Sequence, residues 1–222
     1  MAVAVSSAML RSVPLFASFP EEPLRLLATV VTRRSATRGS IIMAAGDPTD
    51  SLYIVLSGRL KVMMSDADGK EVILTILGPG EFFGEMGLID DSPRSASVVA
   101  IEPCELLAIT RRDFKKCLAE NFDMSMAVMR GLVRRLREAD RKIGSLALLD
   151  VYGRVARLLL DMSEMVDGQK MVTKRLPKQD IAKMIGASRE MVSRVMKDLQ
   201  MGGFIEMRGS TIVLRDTILL PD

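Results

Sequence analysis

Between residues 39 and 110 the chain is interrupted at short, even intervals by turn-forming residues: Gly46-Asp47, Ser57-Gly58, Asp68-Gly69 and Gly78-Pro79-Gly80. Each interval holds one short strand and little else. The runs left between the breaks are SLYIVLS, RLKVMMS and EVILTIL, with SASVVAI following. They are apolar and rich in β-branched residues. Short strands at such spacing, bounded by turn signals, predict an antiparallel β-barrel or roll. DADGKE supplies a hairpin signal between two of them. Ahead of the roll, Val13 to Phe19 and Glu22 to Val31 predict short helices.

The last break opens into GEFFGEMGLIDDSPRSASV, residues 80–98. Gly84, Glu85 and Met86 stand at one end of this string, Arg94 and Ser95 at the other. Glycine brings backbone close to a ligand and tolerates positive φ. A carboxylate only accepts hydrogen bonds, so Glu85 suits a ribose hydroxyl. Arginine is a planar five-donor fork that matches phosphate oxygens, which suits Arg94 to a phosphate. The Ser95 hydroxyl and the N–H groups around Ser95 and Ala96 complete a cradle for the same phosphate. Together the two ends suit the two polar parts of a cyclic nucleotide. The plainer reading is a Gly-rich turn followed by an Arg–Glu surface pair.

A helical pattern begins near Asp113. Phe122, Met129, Leu136 and Ile143 recur every seven residues, with Ser125, Leu132, Ala139 and Leu146 at the complementary positions. That is a short coiled-coil-like seam. It packs either on its own domain or on a second copy of the chain. From about Asp150 the pattern predicts three helices and a hairpin. VYGRVARLLLDMSEMV is an amphipathic helix. LPKQDIAKMIG is a second, ended by Gly186. ASREMVSRVMKDLQMGG is a third, with Ser188 as N-cap and Gly202 at its end. FIEMRGSTIVLRD then alternates around Arg208-Gly209 as a two-stranded wing. A helix, a Gly-containing turn and a second helix with exposed basic residues make a helix-turn-helix. Arg189, Glu190 and Ser193 or Arg194 share one exposed face of that second helix.

Charge supports the same division. Residues 40–110 hold 4 Lys/Arg and 11 Asp/Glu, whereas residues 170–215 hold 10 Lys/Arg and 4 Asp/Glu. A basic C-terminal module is the electrostatic footprint of nucleic-acid binding. The chain has no His and only two cysteines, Cys104 and Cys117. It therefore lacks the usual haem ligand, a Ser-His-Asp triad and the four thiolates of an iron–sulfur sensor. No metal site and no enzyme activity are expected. No apolar run is long enough to span a membrane, and MAVAVSSAML has no basic region before its apolar residues. These features predict a cytoplasmic protein with no membrane partner.

FGEMGL followed by PRSA resembles the phosphate-binding cassette of the cyclic-nucleotide-binding domain. With SREMVSR downstream, the chain resembles the cyclic-AMP receptor protein / fumarate-nitrate regulator (Crp/Fnr) family of bacterial transcription factors from about Ser12 to Arg215. The resemblance implies an α+β chain in three parts: a cyclic-nucleotide-binding antiparallel β-roll over 1–112, a dimerisation helix and hinge over 113–149, and a winged helix-turn-helix over 150–222. It implies a parallel homodimer that binds double-stranded DNA and works with RNA polymerase, with a cyclic nucleotide as effector and no other cofactor. Arg189, Glu190 and Arg194 become base readers on a palindromic site resembling TGTGA, with Lys178, Gln179 and Ser188 on phosphates. Arg fits guanine N7 and O6, and Glu accepts from cytosine N4.

On the long helix the resemblance brings Arg135, Ala139 and Asp140 to the ligand. The cyclic-AMP branch carries a Thr-Ser pair where this chain has Ala139 and Asp140. Ala139 cannot hydrogen-bond, and Asp140 only accepts. Guanine donates from N1 and N2 along one edge, so a carboxylate suits it better than adenine. Alternatively Asp140 pairs with Arg137, Arg141 or a partner-chain residue. Cyclic AMP is the first choice of ligand on the cassette, and cyclic GMP or cyclic di-GMP the second. Two other readings stand beside the regulator: a cyclic-nucleotide-binding subunit acting on a protein partner, and a regulator of this fold that needs no ligand.

Overall fold

The computed structural model describes residues 5–17, 19–173 and 177–215. The chain forms two compact units, Met1–Arg134 and Arg135–Asp222.

The first unit begins with α1 (Ser7–Arg11), a 3-10 turn at Pro14–Phe16 and α2 (Glu21–Val30). Eight strands follow: β1 (Thr32–Ala36), β2 (Ile41–Met43), β3 (Ser51–Ser57), β4 (Leu60–Ser65), β5 (Glu71–Leu77), β6 (Phe82–Phe83), β7 (Ser97–Ala100) and β8 (Cys104–Thr110). A short helix, α3 (Met86–Ile89), interrupts them after β6. They form two four-stranded sheets, ordered β1-β8-β3-β6 and β2-β7-β4-β5. Every pairing is antiparallel, as the roll predicted from the turn residues requires.

β3 is buried on both faces, from Ser51 through Val55. Side chains alternate across a strand, so the strand serves two cores. Leu52 and Ile54, with Leu107 and Ile109 of β8, meet the helices through Leu10, Phe16 and Leu24. Tyr53 and Val55, with Leu106 and Ala108, face Leu60, Leu77 and Val98 inside the roll. Phe114 closes the first core from α4 (Arg111–Glu120) and is fully buried. Truncating such a residue to Ala costs about 3–5 kcal/mol.

The helical stretch expected from Asp113 is two helices. α4 ends at Glu120, and α5 runs over Phe122–Leu148. Asn121 separates them in extended conformation, and its Oδ1 accepts from the Met124 N–H at 2.8 Å. An Asn side chain in that position replaces the missing intrahelical acceptor. Met124 and Val128 anchor α5 in the roll's outer core. Of the heptad residues, Leu132 packs partly against the same core, whereas Phe122 is 76% exposed, Leu136 63% and Ile143 65%.

The second unit carries the rest of α5, then α6 (Val151–Asp161), β9 (Glu164–Val166), β10 (Gln169–Val172), α7 (Lys178–Ile185), α8 (Arg189–Met201), β11 (Ile205–Arg208) and β12 (Thr211–Leu214). The amphipathic helix expected to reach Val166 stops at Asp161. Asp167 and Gly168 both have positive φ, 47° and 75°. That is the backbone of a two-residue I′ hairpin, so β9 turns back to pair Val166 with Gln169. The wing is therefore part of a four-stranded sheet, β11-β12-β10-β9, and not an isolated pair. Val155 and Leu159 of α6, Ile181 and Ile185 of α7, Val192 and Leu199 of α8, and Ile212 and Val213 of β12 are all buried.

Candidate functional site

The 80–98 string folds back so that its two ends meet. Gly84 follows β6 with φ 83°, a conformation that L side chains rarely adopt. Arg94 returns from the other end, and its Nη1 donates to the Gly84 carbonyl at 2.8 Å. Nη2 donates to the Ser51 carbonyl at 2.7 Å and faces Asp50 Oδ1 at 3.2 Å. The guanidinium also lies over Tyr53, 5.9 Å from the ring centroid, and Tyr53 stacks on Phe83. Arg94 is 5% exposed and Glu85 1%. Charged side chains are seldom so deeply buried without a specific role. These contacts occupy three of the five donors of the fork.

Met86 is half-exposed on the first turn of α3, and Ser95 is exposed, its Oγ 3.9 Å from Met86 Sδ. On α5, Ala139 and Asp140 are exposed and Arg135 is half-buried. Sequence reasoning missed the segment behind the cassette. Gly46 N–H donates to the Arg94 carbonyl at 2.8 Å, and Arg94 N–H to the Asp47 carbonyl at 2.9 Å. Thr49 Oγ1 donates to the Ser92 carbonyl at 2.9 Å. A Cβ on Gly87 would stand 2.3 Å from that Ser92 oxygen and 2.4 Å from Thr49 Oγ1. Only local signals were legible there, and these partners are more than forty residues away in sequence.

In the second unit α7 and α8 are joined by the left-handed Gly186, whose N–H donates to the Ala182 carbonyl. Arg154 Nη1 of α6 donates to the Ile185 carbonyl at 3.0 Å and caps the same helix end. Ser188 starts α8, its hydroxyl accepting from the Met191 N–H at 3.2 Å. Val192, Val195, Met196 and Leu199 turn inward, leaving Arg189, Glu190 and Arg194 exposed. Its own backbone N–H and the Ser188 hydroxyl hold the Glu190 carboxyl below its usual range, with Arg189 adding attraction. Glu190 is thus an acceptor at neutral pH. Gln179 is exposed and Lys178 half-buried at the start of α7.

A β-roll with a buried Arg–Glu cassette, followed in one chain by a helix-turn-helix and wing, defines an effector-binding DNA-binding regulator. Residues 33–121 match the cyclic nucleotide-binding domain, and residues 153–220 match the Crp-like helix-turn-helix domain. The cAMP-activated global transcriptional regulator CRP of Pasteurella multocida is 38% identical over 185 residues, covering 80% of this chain and 87% of that protein. The CRP-like cAMP-activated global transcriptional regulator of Mycobacterium tuberculosis is 34% identical over 184 residues, covering 81% and 82%. Among solved structures, the c-di-GMP responsive global regulator CLP of Xanthomonas campestris superposes with a TM-score of 0.73 at 30% identity, covering 89% of this chain and all of that one. The chain belongs to the Crp/Fnr family of transcription regulators, which are not enzymes. Among the described residues, no helix is long and apolar enough to cross a membrane.

Proposed function

We propose that the chain is a cytoplasmic homodimeric transcription regulator whose affinity for DNA is gated by a cyclic nucleotide. The observation that carries this reading is the burial of Arg94 and Glu85 in one cassette of a chain that also holds a Crp-like helix-turn-helix. Residues 1–112 bind the ligand, 113–149 dimerise and 150–222 bind DNA. Arg94, with Ser95, takes the cyclic phosphate. Gly84, Glu85 and Met86 take the ribose side, and Arg135, Ala139 and Asp140 lie toward the base. Arg189, Glu190 and Arg194 read a TGTGA-like half-site, while Lys178, Gln179 and Ser188 rest on phosphates. The exposed stripe of Phe122, Met129, Leu136 and Ile143 supports the dimer, and RNA polymerase is the further partner.

Cyclic AMP is the first choice of effector, supported by relatives named for activation by it. The exposed carboxylate of Asp140 favours a second reading, in which cyclic GMP or cyclic di-GMP is the ligand. A ligand changes DNA affinity only by its differential affinity for the DNA-competent state. The test is calorimetric titration with the three nucleotides, followed by DNA affinity with and without each at fixed salt. Equal DNA affinities would overturn the gating. Absence of binding to all three would overturn the ligand reading.

A further inference from the structure

The first two residues of the ten-residue helix α4 are Arg111 and Arg112. The N-terminal end of a helix dipole disfavours cations, so helix stability does not explain an arginine there. Arg111 instead turns its guanidinium toward the back of the ligand cassette. Its Nη2 donates to the Thr49 carbonyl at 2.6 Å, and its Nε to the same oxygen at 3.2 Å. Nη2 also reaches the Gly87 carbonyl at 3.4 Å, and Nη1 pairs with the Asp91 carboxylate. Its backbone N–H donates to the Asp50 carbonyl at 2.7 Å. One side chain thus touches both sides of the closure that holds the cassette: the 46–51 segment and the stretch from Gly87 in α3 to the turn at Asp91.

Asp91 marks the place that most needs holding. Its φ is 59°, left-handed for a residue with a Cβ. Such backbone persists when surrounding contacts determine it. The Ser92 N–H bridges the turn to Asp90 Oδ1 at 3.0 Å, and two cations from α4 hold the Asp91 carboxylate: Arg111, and Lys115 one turn later, whose Nζ donates to Asp91 Oδ1 at 3.0 Å. Arg94 is bound to the same 46–51 segment through its backbone and through Ser51 and Asp50. A shift of Thr49 and Asp50 would therefore move the acceptors that orient the Arg94 guanidinium.

We propose that Arg111 is a positioning residue of the ligand site, which fixes α3 and the turn at Asp91 against Thr49 and so keeps Arg94 aimed at the anion. Its effect on affinity rests on the cyclic-nucleotide reading above; its effect on α3 and the turn does not. The experiment is hydrogen exchange of the ligand-free full chain, with titration of the cyclic nucleotide that wild type binds. Arg111→Gln should speed exchange of the Gly87–Asp91 amides by roughly tenfold or more, because local opening sets that rate. It should weaken the nucleotide by a similar factor. Arg33→Gln removes a comparably exposed arginine on β1, paired with Glu105 at 2.7 Å, and serves as the control for general loss of an ion pair. It should leave both readouts within about twofold of wild type. Arg111→Lys keeps a charge toward Asp91 but loses the two-pronged hold on Thr49, and should fall between; if Arg111→Gln does not fold, Arg111→Lys decides. Gly87–Asp91 exchange in the Arg111 variants equal to that of Arg33→Gln would overturn the proposal. A loosened Gly87–Asp91 stretch in a chain whose wild type binds no cyclic nucleotide would support the positioning role and overturn the ligand reading instead.

Discussion

Arg94 and Gly84, ten residues apart in sequence, occupy one spot: the Arg94 Nη1 donates to the Gly84 carbonyl at 2.8 Å, and a Cβ built on Gly84 would lie 2.4 Å from that same nitrogen. The glycine therefore has two reasons to be a glycine. Its φ of 83° is one, and the space that the guanidinium fills is the other. Gly84→Ala should strain the backbone and displace Arg94 together. We expect the variant to lose cyclic-nucleotide affinity by at least roughly tenfold, about 1.4 kcal/mol. Arg94→Ala should abolish binding, and Glu85→Ala should weaken it. Calorimetry on folded variants checks all three, and wild-type affinity in Gly84→Ala would refute the account of this contact.

The seam predicts an assembly. Leu136 is exposed and lies in step with Phe122, Met129 and Ile143. Leu136→Asp should yield a folded monomer, measured by light scattering with circular dichroism as the control for folding. A folded variant that remains dimeric would place the interface elsewhere.

Asp140 is the residue at which the choice of base can be tested. If its carboxylate reads the guanine edge, Asp140→Ser should move relative affinity from cyclic GMP or cyclic di-GMP toward cyclic AMP. Unchanged ratios among the three nucleotides would make Asp140 a structural residue.

On DNA, Arg189→Ala should cost about 1–3 kcal/mol and relax discrimination at one base pair. Lys178→Ala should weaken all sequences alike and lower the salt slope by about one unit at most. Competition binding on single-substituted sites, repeated at several salt concentrations, separates the two. Loss of discrimination in Lys178→Ala would reassign it from phosphate to base.

The loop pair has a pH signature. Hydrogen bonding and attraction from Lys115, with Arg111 adding to them, hold the Asp91 carboxyl below its ordinary value. A depressed carboxyl contributes stability that is complete above the unfolded value, about 3.9 for Asp, and lost as pH falls through the folded value. The melting temperature of Asp91→Asn should thus trail wild type at pH 6 and converge with it toward pH 3, at about constant ionic strength. A constant difference across that range would remove Asp91 as the titrating group.

The parts of this chain that were legible in its sequence are those whose signals are local. The roll could be read because its turns are made by neighbouring Gly, Asp and Pro residues. Gly84, Glu85 and Arg94 could be proposed as one site because a single short loop carries them. The β9–β10 hairpin was missed although Asp167-Gly168 is the same kind of turn signal as Asp68-Gly69. The preceding stretch, DMSEMV, fits a helical face as well as a strand, and the period prevailed over the turn. Asn121 was passed over for a related reason: its cap on Met124 interrupts a pattern that is helical on both sides. Thr49, Asp50, Ser51 and Arg111 act on the cassette only across long stretches of chain, so nothing in their own neighbourhood marked them.

The break at Asn121 also sets a phase. A helix turns by about 100° per residue, so the direction of each side chain on α5 is fixed by where the helix starts and by what first grips it. Met124 and Val128 supply that grip, and Phe122 and Met129 are thereby directed away from the roll. A residue inserted before Asn121 meets a junction with no helical phase to disturb. The same insertion just after Val128 would swing Met129 about 100° out of line with Phe122. The start of α5 is in this sense clocked from the β-roll, by two buried side chains and one asparagine.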